Sequence, residues 1–139
     1  MMMKKMRRLQ WAAALMALLL TAGCVETALM GVGAAAALGT YKWIEGTMER
    51  DYPKSMEPVW HACIATCKTM NLRIGSEGYG PLESRIEAMQ PDGTSVKIQL
   101  IARPNMITTV KVRFGMWGNQ DASAYFHRRL ADNLGMPPG

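Results

Sequence analysis

The chain has few of the side chains that do chemistry. Two histidines and three cysteines are spread over 139 residues, and neither histidine comes with a nucleophile or acid in a recognisable catalytic arrangement. No cofactor motif and no small-molecule substrate are evident, so an enzyme is not expected. Long apolar runs are missing as well. The run from Trp11 to Leu20 is ten residues, whereas a permanent bilayer helix needs about 20. Glu26 to Thr40 is apolar but also too short. A surplus of one charge is lacking too. The 16 Lys and Arg face 11 Asp and Glu, but four of the cations fall in the first 23 residues, which hold no acid. Residues 24–139 therefore carry 12 cations against 11 acids, a net +1, and a nucleic-acid partner is not expected.

What is present begins with an ordered set of segments. Lys4, Lys5, Arg7 and Arg8 form a cationic start, Trp11 to Leu20 an apolar core, and Thr21, Ala22 and Gly23 a small-residue stretch before Cys24. That is the layout of a cleaved secretory signal. Leu20-Thr21-Ala22-Gly23-Cys24 resembles the lipobox of bacterial lipoprotein precursors, with Thr21 standing where Leu is usual. The resemblance implies that the Cys24 thiol receives a diacylglycerol and that residues 1–23 are removed. Two or three palmitate-type chains on one cysteine hold firmly, because each buried methylene contributes roughly 0.8 kcal/mol. Val25 follows, where an Asp would imply retention at the inner membrane, so the expected address is the periplasmic face of the outer membrane.

The expected division is a signal peptide over 1–23, lipidated Cys24 with a Gly/Ala-rich tether over 24–40, a small α+β domain over 41–135 and a frayed tail over 136–139. Thr27, Gly31, Ala35 and Gly39 recur every four residues, the spacing of close helix association. Gly31, Gly33 and Gly39 weaken an isolated helix, which favours a tether.

Within the domain, Tyr41 to Tyr52 reads as one strand, with Ile44, Gly46 and Met48 on one side and Glu45, Thr47 and Glu49 on the other. Ser55 is a candidate N-cap for a helix over 56–70, whose apolar stripe is Val59, Trp60, Cys63, Ile64, Cys67 and Met70. Asn71 terminates it. Strands follow from Leu72 and around Ile86, Val96 to Leu100, and Val110 to Phe114, with turns at Pro91-Asp92-Gly93 and Arg103-Pro104-Asn105. A second helix covers 120–134, its buried face read as Tyr125, Phe126, Arg129, Leu130 and Leu134. The expected fold class is α+β: an antiparallel sheet of four to five strands, wet on one face, with two helices on the other.

Few residues stand out as sites. His61, Cys63 and Cys67 raise zinc, copper or thiol-redox chemistry, but both cysteines fall on the apolar stripe, where free cysteine behaves as a small hydrophobe. No metal site is assigned. His127, beside Arg128 and Arg129, reads as helix surface. Lys97, Lys111 and Arg113 share the wet sheet face, where they either attract anionic lipid or pair with Glu45, Glu49 and Glu87. Tyr79, between Gly78 and Gly80, is either an exposed contact residue or a lid on the core.

The chain resembles a family of small bacterial lipoproteins classed as a domain of unknown function. The likeness rests on the Gly/Ala segment after Cys24, Tyr52-Pro53-Lys54-Ser55, Val59-Trp60-His61-Ala62, Asn71-Leu72-Arg73-Ile74, Asp92 to Ile98, and Val112-Arg113-Phe114-Gly115. It implies an envelope lipoprotein and transfers no activity. The expected function is a non-enzymatic binding or structural module, held to the membrane by Cys24 and meeting an envelope protein partner. The alternative is a periplasmic metal or redox domain using Cys63 and Cys67.

Overall fold

The structure is a computed structural model that describes residues 3–4, 6–8, 10–14 and 40–137. The chain divides into two compact units, Met1–Ala37 and Leu38–Gly139. In the first, the described residues are helical and exposed. No helix among the described residues is long and apolar enough to cross a membrane. Cys24, the cut expected after residue 23 and the tether up to Gly39 lie outside the described residues.

The second unit is α+β. Six antiparallel strands form one sheet: β1 (Lys42–Ile44), β2 (Thr47–Tyr52), β3 (Arg73–Gly78), β4 (Glu83–Met89), β5 (Ser95–Arg103) and β6 (Ile107–Phe114), in the order β1-β2-β6-β5-β4-β3. Helices α1 (Met56–Thr69) and α2 (Gln120–Asn133) complete the unit. Helix α1 carries the chain from β2 across to the far edge, and the meander β3 to β6 brings it back beside β2.

The sixth strand comes from a hairpin inside what reads as a single strand. Glu45 and Gly46 both have positive φ, 47° and 81°, the backbone of a two-residue turn whose twist matches the flanking strands. Ile44 therefore pairs with Thr47, while Met48 lies opposite Trp43, so Ile44 and Met48 end on opposite faces rather than together.

Alternation in β4, β5 and β6 follows the period-two reading. Met48, Val112, Ile98 and Ile86 lie side by side across four strands, all buried against the helices. Burying each aliphatic side chain contributes about 1.5–3 kcal/mol. Helix α1 meets this face with Met56, Val59, Trp60, Cys63 and Cys67.

Ser55 holds the N-cap position of α1 without a side-chain capping bond. Asn71 does end the helix: its φ is 60°, and the Leu72 N–H reaches back to the Cys67 carbonyl at 2.8 Å, seating Leu72 in the core. Helix α2 is capped by Asn119, whose side chain accepts from the Ala122 N–H at 3.0 Å. It closes the same way as α1, the Met136 N–H reaching the Ala131 carbonyl at 2.8 Å. Met136 then packs on the core, and the Pro137 carbonyl accepts from Arg50 at 3.4 Å. Residues 138–139 of the tail expected to fray lie outside the described residues.

Candidate functional site

Two features bring polar side chains together, one open to solvent and one sealed. The open one is the sheet face turned away from the helices. Strand pairing sets Glu49 opposite Lys111, Lys111 opposite Gln99, and Gln99 opposite Arg85. A second row runs from Arg113 to Lys97 to Glu87. The face is hollowed by a groove of about 480 Å³, lined by these residues together with Ile44, Glu45 and Thr47.

Lys97, Lys111 and Arg113 share this face with Glu49 and Glu87 as read, while Glu45, the third acid expected there, sits in the β1–β2 turn and lines the groove from it. Lys111 pairs with Glu49 at 3.0 Å. Arg85 binds Glu83 at 2.7 Å, and Gln99 donates to the same carboxylate oxygen at 2.7 Å. Arg113 turns to the loop beyond β6, donating to the Gly115 carbonyl at 3.4 Å and to the Met116 carbonyl. Lys97 and Glu87 face each other in register, yet among the described residues neither joins an ion pair. Of the charged residues lining the groove, Lys97, Glu87 and Glu45 thus stay outside any ion pair among the described residues.

The sealed feature joins Arg50, Tyr52 and His127. Here the structure corrects the sequence reading, because His127 is fully buried rather than on the helix surface. The buried face of α2 is Ser123, Phe126, His127, Leu130 and Ala131, while Tyr125 and Arg129 point outward. The His127 Nε2–H donates to the Met48 carbonyl at 3.1 Å. Nδ1 is then the acceptor, and the Tyr52 hydroxyl donates to it at 2.7 Å.

Burial pushes the His127 pKa down to about 4, and the nearby Arg50 charge acts in the same direction. The ring is therefore neutral at pH 7. Burial also raises the Tyr52 phenol well above its usual range. Arg50 is only 3% exposed. Its guanidinium carbon sits 5.2 Å from the Tyr41 ring centre and 4.9 Å from that of Tyr52, and it donates to the Tyr41 hydroxyl at 3.3 Å. Aromatic faces stabilise a desolvated cation by about 2 kcal/mol. Closed to solvent, the cluster ties α2, the chain before β1 and the tail to β2.

Sequence reasoning missed this cluster, although a signal was there. Met48, Arg50 and Tyr52 share one parity in β2, and Ser123, His127 and Leu130 share helical spacing in α2.

Cys63 and Cys67 are free and buried in the core. Burial pushes the Cys67 thiol up to about 12 and that of Cys63 well above its usual range. Both are protonated at pH 7, whereas the thiolate is the form that ligates metal or attacks disulfides. His61 points outward toward Glu57, 4.0 Å away. Among the described residues no cluster of three or more metal-ligating side chains forms. Tyr79 is half-exposed and packs edge-on against Trp60, ring centres 5.5 Å apart, so it covers the core and meets solvent at once.

The chain belongs to a family described as a protein of unknown function (DUF3568), whose match runs over residues 8–133. No curated protein matches the chain.

Proposed function

We propose that the protein is a lipid-anchored, non-enzymatic module of the bacterial envelope, held by Cys24 and binding another envelope component through the open sheet face. The observation that carries the binding role is the uncovered groove, with Lys97 and Glu87 in its lining and outside any ion pair. A six-stranded sheet that covers one face with two helices and leaves the other charged and hollow presents a ready recognition surface. Charges of both signs, closely spaced, suit a polar partner of mixed charge better than a polyanion.

The anchor is supported by the sequence alone: the cationic start, the ten-residue apolar core and Cys24 behind small residues. Val25 after the cysteine favours the periplasmic leaflet of the outer membrane. Mass spectrometry of the native protein tests the anchor, with a diacylated Cys24 as its new N-terminus as the expected product. An unmodified thiol, or an intact residue 1–23 segment, would end the anchor reading. Pull-down from membranes with wild type and with Lys97→Glu tests the surface. A partner captured by wild type and lost with the variant is the expected result, and recovery of the protein always alone counts against it.

A further inference from the structure

The loop that follows β6 is built to hold apolar side chains out in water. Trp117 is 86% exposed, Met116 76% and Ile44 50%. Exposure of this extent on a tryptophan normally marks a loose loop or a contact site. Here the backbone is pinned. A Cβ on Gly46 would lie 2.6 Å from the Trp117 carbonyl oxygen, and one on Gly118 would run into the Gly46 backbone. The β1–β2 turn and the 115–118 loop therefore interlock, main chain against main chain. The Arg113 guanidinium holds the same loop through the Gly115 and Met116 carbonyls. The result is a tip fixed in shape, with Met116 and Trp117 as its apolar cap and Ile44 on the adjoining open sheet face.

The geometry points to a lipid surface as the occupant of this tip, with the side chains of Met116 and Trp117 seated among headgroups and upper acyl chains. This rests on the lipid-anchor reading and adds which part of the domain meets the bilayer. Three arguments favour lipid over a protein. A stable protein interface buries about 800 Å² per partner on a fitted surface, whereas two exposed side chains on a short loop suit a deformable medium. Tryptophan settles at the membrane–water boundary, where its ring is buried and its N–H stays wet. The chain leading from Cys24 also enters β1 at Lys42, three residues before the Glu45-Gly46 turn. The 15 residues from Val25 to Gly39 precede β1, and β1 runs straight into the turn that carries Ile44. A stretch of 15 residues reaches at most about 50 Å, which keeps the tip within reach of the surface that holds the anchor.

The test uses the native lipidated protein in vesicles of phosphatidylethanolamine and phosphatidylglycerol whose acyl chains carry bromine, a contact quencher of tryptophan. Co-flotation with the vesicles reads the anchor, and quenching reads the tip. Flotation with strong quenching is expected, and Trp117→Phe should still float but lose most of that quenching. Flotation without quenching, or quenching unchanged in Trp117→Phe, overturns the tip and leaves the anchor standing. Failure to float overturns the anchor and the tip with it. A dimer in detergent that shields Trp117 from acrylamide assigns the tip to a second copy of the chain and overturns the lipid assignment.

Discussion

The Tyr52 hydroxyl donates to Nδ1 of His127 across 2.7 Å, with both side chains fully buried. The Nε2–H bond to the Met48 carbonyl fixes the tautomer of the ring, and the bond from Tyr52 then joins α2 to β2. A buried hydrogen bond of this kind is costly to leave half-made, because the remaining partner keeps its desolvation penalty.

Tyr52→Phe should therefore lower unfolding stability by about 1–3 kcal/mol, since it leaves Nδ1 without a donor. Urea unfolding measures this. A change near zero would mean that water or another donor reaches the ring.

The second expectation concerns pH. His127 takes up a proton near its usual pKa of 6.5 when unfolded and only near 4 when folded. Below pH 6.5 the unfolded state binds more protons, so stability falls as pH drops from 6.5 toward 4. About 3 kcal/mol is at stake for a shift of this size. His127→Phe should be less stable at neutral pH and should lose this part of the slope. Thermal melts of both proteins across that range decide it, and an unchanged slope would assign the dependence to other groups.

A third expectation follows from the interlocked turn. Gly46→Ala puts a Cβ 2.6 Å from the Trp117 carbonyl oxygen, on a backbone with φ of 81°. Neither atom belongs to a flexible side chain, so the loops must part. A loss of about 1–3 kcal/mol is expected, together with faster amide exchange in β1. Exchange as slow as wild type at Trp43 and Ile44 would contradict the interlock.

The Lys111–Glu49 pair on the open face should matter little to stability. The two side chains are partly exposed at 28% and 19%, and such pairs contribute about 1 kcal/mol or less and weaken with salt. A double-mutant cycle with Lys111→Met and Glu49→Gln at low and high salt measures the coupling. A larger, salt-independent value would show the pair to be a structural element of the groove.

Cys63 and Cys67 should resist thiol reagents in the folded protein and react together once it unfolds, because both are buried and held protonated. Labelling at increasing urea follows this. Rapid labelling without denaturant would revive metal or redox chemistry at the pair.

Much of the layout was legible in the order of residue types. Alternation around Ile86, Ile98 and Val112 marked the strands and their inward face, because a strand buried on one side must place apolar groups at every second position. Asn71 marked the end of α1 for a local reason, since its side chain tolerates the left-handed backbone that closes a helix. The charged face that carries Glu49, Lys111 and Lys97 was legible from the same parity. The hairpin at Glu45-Gly46 was not. Glu is an unusual residue at positive φ, and the turn is held partly by Trp117 and Gly118, some seventy positions away.

The sequence by itself determined the N-terminal segment pattern, the α+β class and the split between apolar and charged sheet faces, because each is written in local periodicity and spacing. Tertiary structure alone decided that Arg50 and His127 lie inside while Trp117 stands outside. Those outcomes depend on what distant segments offer: the Tyr41 and Tyr52 rings for a cation, the Tyr52 hydroxyl for an imidazole, and a glycine backbone that pins a loop without covering its side chain.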